Sequence, residues 1–106
     1  MTQQEFEALI APDRLVLVDF YATWCHPCQT MATVLEELAK VYNGEIYIYK
    51  VDIEKEVGLS QAFGIHNIPT LLLIPMDGNP KMLQGAIPKR DLTKVINKVL
   101  LENIEV

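Results

Sequence analysis

Hydrophobic and polar positions follow two patterns along the chain, one typical of strands and one typical of helices. Four short runs rich in aliphatic, β-branched and aromatic residues predict strands; they cover residues 15–22, 46–52, 70–74 and 81–84. The first run, L-V-L-V-D-F-Y-A, is almost continuously apolar, as expected for a strand covered on both faces. The last two runs are joined by D-G-N-P and predict an antiparallel hairpin.

The chain begins with the pattern of a short helix. Thr2 and Glu5 fit a capping box, in which each side chain accepts a hydrogen bond from the other residue's backbone N–H. An apolar stripe at helical spacing follows; it consists of Phe6, Leu9 and Ile10. Pro12 and Asp13 are predicted to end this helix.

Three further helices are predicted. Apolar positions recur at helical spacing over residues 27–42, a shorter helix covers residues 56–63 before Gly64, and an amphipathic helix follows Pro88. Strands separated by helical crossovers are expected to be parallel neighbours, whereas the final hairpin adds antiparallel edges. We therefore predict an α/β domain with a central mixed four-stranded sheet and helices on both faces.

Composition limits the size and the partners of the protein. At 106 residues with 50% hydrophobic content, the chain can bury one core and is too short for two, so residues 1–106 are predicted to form one domain. Lys and Arg total 9 against 14 Asp and Glu, and the net charge of -5 disfavours nucleic acid and anionic membranes as partners. No apolar run approaches the ~20 residues of a membrane span, and the first residues lack the basic start of a signal peptide. We therefore expect a cytoplasmic monomer.

Both cysteines lie in one motif, W-C-H-P-C, at residues 24–28. Pro27 suits the first turn of a helix, because its missing N–H would have no helical partner there, so Cys25 and Cys28 are predicted at a helix N-terminus. Residues three apart on a helix have Cβ atoms roughly 5–6 Å apart, and small adjustments allow a disulfide to close and reopen. The free N–H groups and positive dipole of the helix end favour a thiolate on Cys25, which is therefore the candidate nucleophile.

Three alternative roles for the cysteine pair fit the sequence less well. A zinc site would need two more ligands, and only His26 and His66 remain as Cys or His, with His26 inside the pair. A c-type haem attachment would need histidine after the second cysteine, where Gln29 stands. A structural disulfide closing so small a loop would gain little from chain entropy. We therefore expect redox exchange, with no metal and no bound cofactor.

Four stretches of the sequence resemble the thioredoxin family: V-D-F-Y-A-T-W-C-H-P-C, K-V-D-I, G-I-H-N-I-P-T-L-L-L and Q-G-A. The resemblance implies a protein-disulfide reductase in which Cys25 forms a mixed disulfide with a substrate protein and Cys28 then resolves it. A thioredoxin reductase would reopen the Cys25 to Cys28 disulfide. The family usually has a strand before the first helix, whereas the pattern here predicts that helix as the first element, so one sheet edge is expected to be shorter or exposed.

The resemblance also assigns roles outside the motif. Asp19 is costly to bury in an apolar strand unless it is paired or protonated, or unless it faces a polar edge. The matching family carboxylate lies beneath the second cysteine, so Asp19 is the expected general base for Cys28, and Lys50 the residue that tunes it. Taken alone, Lys50 fits a solvated strand end. The expected substrate-docking surface includes a cis-proline loop and a glycine that permits close backbone approach; it comprises Trp24, Pro27, Ile68, Pro69, Gly85 and Ala86.

His26 stands where the family commonly has glycine. A protonated imidazole beside the thiolate would stabilise reduced Cys25 and make the disulfide more oxidising, whereas the positive helix end opposes that protonation. We expect a moderately more oxidising couple than with glycine. Two alternative functions therefore stay open: a disulfide oxidase or isomerase, and a binding module whose thiols are idle.

Overall fold

The computed structural model describes residues 2–9 and 13–102, and within these ranges eight elements follow in the predicted order. The helices are α1 (Gln3–Leu9), α2 (His26–Tyr42), α3 (Val57–Ala62) and α4 (Lys89–Glu102), and the strands are β1 (Leu15–Tyr21), β2 (Ile46–Asp52), β3 (Thr70–Ile74) and β4 (Lys81–Gln84). The predicted bounds of the strands and of α2 and α3 agree within one residue. Ile10 and Pro12, assigned to the end of the first helix, lie outside the described residues. None of the described helices combines the length and the apolar character that crossing a membrane requires.

Local signals in the sequence set the helix ends. The Thr2 N–H donates to Glu5 Oε1 at 3.2 Å and the Glu5 N–H donates to Thr2 Oγ1 at 3.1 Å, which confirms the capping box. Helix α2 ends where Asn43 adopts a φ of 24° and Gly44 a φ of 89°, and Gly64 after α3 has a φ of 67°. Positive φ values favour Gly and Asn, so these residues stop the helices at the predicted positions.

The strands form one mixed sheet in the order β2-β1-β3-β4. Strands β1 and β2 are parallel, whereas β3 is antiparallel to both β1 and β4. The prediction that every helical crossover joins parallel strands is therefore wrong for α3.

Helix lengths explain this difference. At 1.5 Å per residue, the 17 residues of α2 extend ~25 Å, which returns the chain along a seven-residue strand of ~23 Å. The 6 residues of α3 extend only ~9 Å. The chain therefore starts β3 at the end of the sheet where β2 finishes: Thr70 pairs with Phe20, next to the pair of Tyr21 and Asp52.

Helices cover both faces of the sheet. Leu15 and Leu17 of β1 belong to one core cluster and Val16, Val18 and Phe20 to the other, because side chains alternate between the faces of a strand. The first cluster also contains residues of α2 and α4: Met31, Leu35, Leu38, Tyr42, Leu92, Ile96 and Val99. The second contains Phe6 of α1 and Leu59 of α3. By the same alternation, Asp19 lies on the face of β1 that α2 and α4 cover.

Replacing Leu17 by Ala tests the packing on the α2 side of the sheet. Leu17 is fully buried in the first core cluster, so the variant should lose about 2–5 kcal/mol of the free energy of unfolding. Urea denaturation followed by tryptophan fluorescence measures the loss. The control is Val41→Ala on the exposed side of α2, which should change this free energy by less than about 0.5 kcal/mol. Equal losses in the two variants would contradict the assigned core.

Candidate active site

The cysteine motif lies where the central strand β1 gives way to α2. The Cys25 N–H donates to the Ala22 carbonyl at 3.2 Å, which closes a turn after the strand. Cys25 is then the N-cap of α2, with extended backbone angles of φ -86° and ψ 109°, and Pro27 lies in the first helical turn. The motif therefore sits at a helix N-terminus, as the position of the proline predicts.

The two cysteines are joined as a disulfide in this structure. Their Cα atoms are 5.2 Å apart, and Sγ of Cys25 accepts a hydrogen bond from the Cys28 N–H at 3.2 Å. Both residues are nearly buried, with 5% of Cys25 and 2% of Cys28 exposed. Since the side chain of an N-cap accepts from the first-turn N–H groups, this sulfur occupies the place of a capping oxygen.

An apolar rim surrounds the disulfide. Ala22, Cys25 and Cys28 form a buried cluster, against which Tyr21, Ile53 and Ile68 pack. Trp24 is 67% exposed beside this cluster, and His26 and Pro27 are exposed as well. The motif thus presents a buried sulfur pair next to an exposed aromatic side chain.

Asp19 is fully buried in β1, two residues before the strand ends. In the described part of the chain, neither carboxylate oxygen has a hydrogen-bond partner. Burial raises the pKa of Asp19 from 3.8 to about 6, although the positive charge of Lys50 opposes part of this rise. With this pKa the carboxyl group can take up or release a proton near neutral pH.

Lys50 lies opposite Asp19 in the parallel register of β1 and β2. Its side chain is exposed, and its Nζ lies 4.7 Å from the centroid of the Tyr21 ring, a cation–π contact. The sequence did not single out Tyr21. Tyr21 follows Asp19 by two residues, so the two side chains lie on one face of β1. Only the register of β1 against β2 shows that Lys50 lies next to them.

The proline loop lies at the same end of the sheet. The peptide bond between Ile68 and Pro69 is cis, as the family resemblance implies, and Ile68 packs against the cysteine cluster. The Gly85 N–H donates to the Pro69 carbonyl at 2.8 Å, and the adjacent Ala86 is exposed. Gly85 has a φ of 88°, and a Cβ built on it would meet no atom of the described chain within 4 Å. The backbone conformation, rather than packing within the chain, therefore favours glycine here.

The histidines do not join a larger cluster of ligands. His26 and His66 are both exposed. Among residues 2–9 and 13–102, no group of three or more His, Cys, Asp or Glu side chains is placed to hold a metal ion. At this end of the sheet the fold brings together a sulfur pair and an apolar rim, and it buries a carboxyl group on the face of β1 that α2 covers. This set defines a site for thiol–disulfide exchange.

Comparison with known proteins identifies the family. The family model described as Thioredoxin matches residues 1–98. The thioredoxin of Borreliella burgdorferi is 42% identical over 84 residues, which cover 79% of this chain and 72% of that protein. Thioredoxin 1 of Nostoc sp. is 36% identical over 94 residues, which cover 89% and 88%. A crystal structure of chloroplastic thioredoxin z superposes with a TM-score of 0.86 at 29% identity and covers 95% of this chain and 92% of that one.

The chain therefore belongs to the thioredoxin family. Its fold is the thioredoxin fold, and it is a thiol–disulfide oxidoreductase of the disulfide reductase class. Proteins of this class act on disulfides of their substrates through a cysteine pair like that of Cys25 and Cys28.

Replacing Asp19 by Asn should change how the stability of the oxidised protein depends on pH. The folded protein holds the Asp19 proton up to a pKa of about 6, whereas an unfolded chain releases it near ~3.9. Between these values, rising pH ionises Asp19 in the unfolded chain first, so the wild type loses stability as the pH rises. At neutral pH the free energy of unfolding of the wild type is lower by on the order of 3 kcal/mol than at acidic pH, and the variant shows no such decrease.

Urea unfolding of the wild type and of Asp19→Asn at about pH 4 and about pH 8 measures this difference. The free energy of unfolding of the variant minus that of the wild type should be larger at the higher pH. A difference that stays constant across this range would show that Asp19 does not titrate as its burial requires.

Proposed function

We propose that this protein reduces disulfides in substrate proteins, with Cys25 as the nucleophile and Cys28 as the resolving thiol. The observation that supports this assignment is the position of Cys25 Sγ at the N-cap of α2, 3.2 Å from the Cys28 N–H. In the reduced protein the same donor and the positive end of the 17-residue helix would stabilise a thiolate on Cys25. Cys28 lies in the first turn of α2 and is more deeply buried, which suits an attack on Cys25 rather than on a substrate.

The reaction consists of two exchanges at sulfur. The Cys25 thiolate attacks one sulfur of the substrate disulfide, that S–S bond breaks, and the other substrate sulfur leaves as a thiolate. Cys28 then attacks Cys25 Sγ, and the second substrate sulfur leaves. Two electrons have passed to the substrate, and the protein ends with the Cys25 to Cys28 disulfide. No bound cofactor is needed, because the dithiol itself holds the electrons.

Asp19 is the proposed general base for the second exchange. Cys28 must lose its proton before it can attack, and Asp19 lies on the sheet face that α2 covers. Its pKa of about 6 lets it accept this proton near neutral pH. Lys50, whose ammonium group rests on the Tyr21 ring, would limit how far burial raises the pKa of Asp19.

The proposed substrate surface is the apolar rim around the disulfide. Exposed Trp24 directly precedes Cys25, and Ile68 packs against the cysteine cluster. Hydrogen bonding of Gly85 to Pro69 brings the segment after β4 to the same rim. The docking residues are Trp24, Pro27, Ile68, Pro69, Gly85 and Ala86. An extended substrate segment could lie across this rim with its disulfide above Cys25.

We also propose that the protein works in a reducing compartment. Both cysteines of the chain belong to the site, a usage typical of proteins that work where thiols stay reduced. We assign the protein to the cytoplasm, as a monomer that a thioredoxin reductase returns to the dithiol form. One observation favours an oxidase or isomerase instead: His26 is exposed and directly follows the nucleophile at the start of α2.

Serine variants of the two cysteines should separate their roles. Cys28→Ser should form a stable mixed disulfide with a disulfide-containing protein such as insulin, because the resolving thiol is missing. Cys25→Ser should form no such adduct, and both variants should lose turnover by on the order of 10³-fold or more. Non-reducing electrophoresis and intact-mass measurement detect the adduct. An adduct on Cys25→Ser alone would reverse the assigned roles, and full activity of the double variant in cells would favour a redox-idle binding module.

Replacing His26 by Gly should make the cysteine couple more reducing, by roughly 10–30 mV. The reason is that His26 directly follows Cys25 at the start of α2, where a positive charge on its imidazole would stabilise the thiolate of the reduced form. Trp24 fluorescence in thiol buffers of defined potential measures the equilibrium. His66→Gly, a change at the other exposed histidine, is the matched control and should leave the potential unchanged. Equal potentials for the wild type and His26→Gly would show that His26 is a passive substitution.

A further inference from the structure

The segment of residues 85–87, between β4 and α4, is hydrogen-bonded at one end to the proline loop and at the other end to the core side of α2. At one end, the Gly85 N–H donates to the Pro69 carbonyl at 2.8 Å. At the other end, the Ile87 N–H donates to Sδ of Met31 at 3.3 Å. Ala86 lies between these two bonds and is exposed. The two attachments therefore fix the position of an exposed residue between the proline loop and α2.

Met31 belongs to the same helix as the cysteines. It follows Cys28 by three residues, so the two side chains lie on one face of α2, about one turn apart. Met31 is 1% exposed and is part of the core cluster that also contains Leu71 and Leu92. Close packing of this kind restricts the otherwise flexible thioether and leaves its sulfur in one place.

The sulfur of Met31 has a function that other apolar side chains of similar size cannot supply. Leucine or isoleucine at this position could fill the core, but neither could accept the Ile87 N–H. With either residue at position 31, the Ile87 N–H would have no acceptor in the protein. Because Ile87 is partly buried against the same cluster, water could replace that acceptor only in part. The segment would then keep only its attachment to Pro69 and could shift relative to α2.

We propose that Met31 is a positioning residue for substrate docking, whose sulfur fixes residues 85–87 relative to the cysteines and thereby determines the affinity for protein disulfides. The inference rests on the proposed docking role of Gly85 and Ala86. A protein substrate that lies across the rim contacts Ala86 and depends on its position. A small disulfide that reaches only the sulfur atoms does not.

Met31→Leu tests this inference, because it nearly conserves volume and removes the acceptor. The KM for insulin should rise by roughly two- to fivefold, with little change in kcat, because the energy of one hydrogen bond to a weak sulfur acceptor limits how far the segment can be released. The rate with glutathione disulfide should stay unchanged. Amide hydrogen exchange by NMR should show faster exchange at Ile87 than in the wild type. Met31→Ile, which also lacks an acceptor, should behave in the same way if Met31→Leu folds poorly.

Met76→Leu is the matched control, since the same chemical change is made at a methionine that is 44% exposed in the β3–β4 connection. It should leave both the KM and the Ile87 exchange rate unchanged. An unchanged KM for insulin in both Met31 variants would overturn the inference while the proposed function stands. A parallel loss of rate with insulin and glutathione disulfide would also overturn it, because Met31 would then act on the cysteines themselves. If the wild type fails to reduce insulin at all, the proposed function fails first, and this inference with it.

Discussion

The turn from Ala22 to Cys25 is the constraint on which the whole site depends. It joins the central strand β1, which is buried from Leu15 to Phe20, to α2, and its hydrogen bond from the Cys25 N–H to the Ala22 carbonyl sets where the helix begins. Because the helix begins there, its unpaired N–H groups and its positive dipole end meet the sulfur of Cys25. Helix α2 is long enough to return the chain to the start of the parallel strand β2, whose last residue lies at the same end of the sheet as the cysteines. The short α3 brings the proline loop to the same place.

The burial of Asp19 is a second constraint, and it lowers the stability of the fold. Asp19 occupies a core position between Val18 and Phe20, and no described group donates a hydrogen bond to it. A buried, unpaired carboxylate is expensive, and the raised pKa is the physical sign of that cost. Its neighbours on the same strand are all apolar, so Asp19 is an exception to the general exclusion of charged residues from core strands. Such exceptions occur where chemistry requires them, which is consistent with the proposed role of Asp19 as the proton acceptor for Cys28.

Much of this arrangement follows from sequence patterns alone. The apolar runs predicted the four strands within one residue, the capping box predicted the start of α1, and Pro27 predicted a helix N-terminus at the cysteines. These signals are local, and each depends on residues a few positions apart. The cis bond before Pro69 came from family resemblance, because the residue type alone gives only a small preference for cis.

Features set by long-range pairing were not predictable in the same way. The direction of β3 depends on where the chain leaves α3 relative to β1. The sequence predicts the bounds of the short α3 within one residue, but the usual parallel pairing across a crossover helix indicated the opposite direction. The contact of Lys50 with Tyr21 depends on the register of β1 against β2. The bond from Ile87 to Met31 joins residues 56 positions apart, and the sequence gives no sign that a core methionine acts as an acceptor.

The most direct test of this account is the alkylation rate of each cysteine in the reduced protein as a function of pH, with the modified residue identified by mass spectrometry. The account predicts that Cys25 reacts first, that its rate levels off with a midpoint well below the ~8.5 of an ordinary thiol, and that Cys28 is protected. Equal rates for the two cysteines, with midpoints near ~8.5, would contradict the claim that the N-terminus of α2 creates the nucleophile.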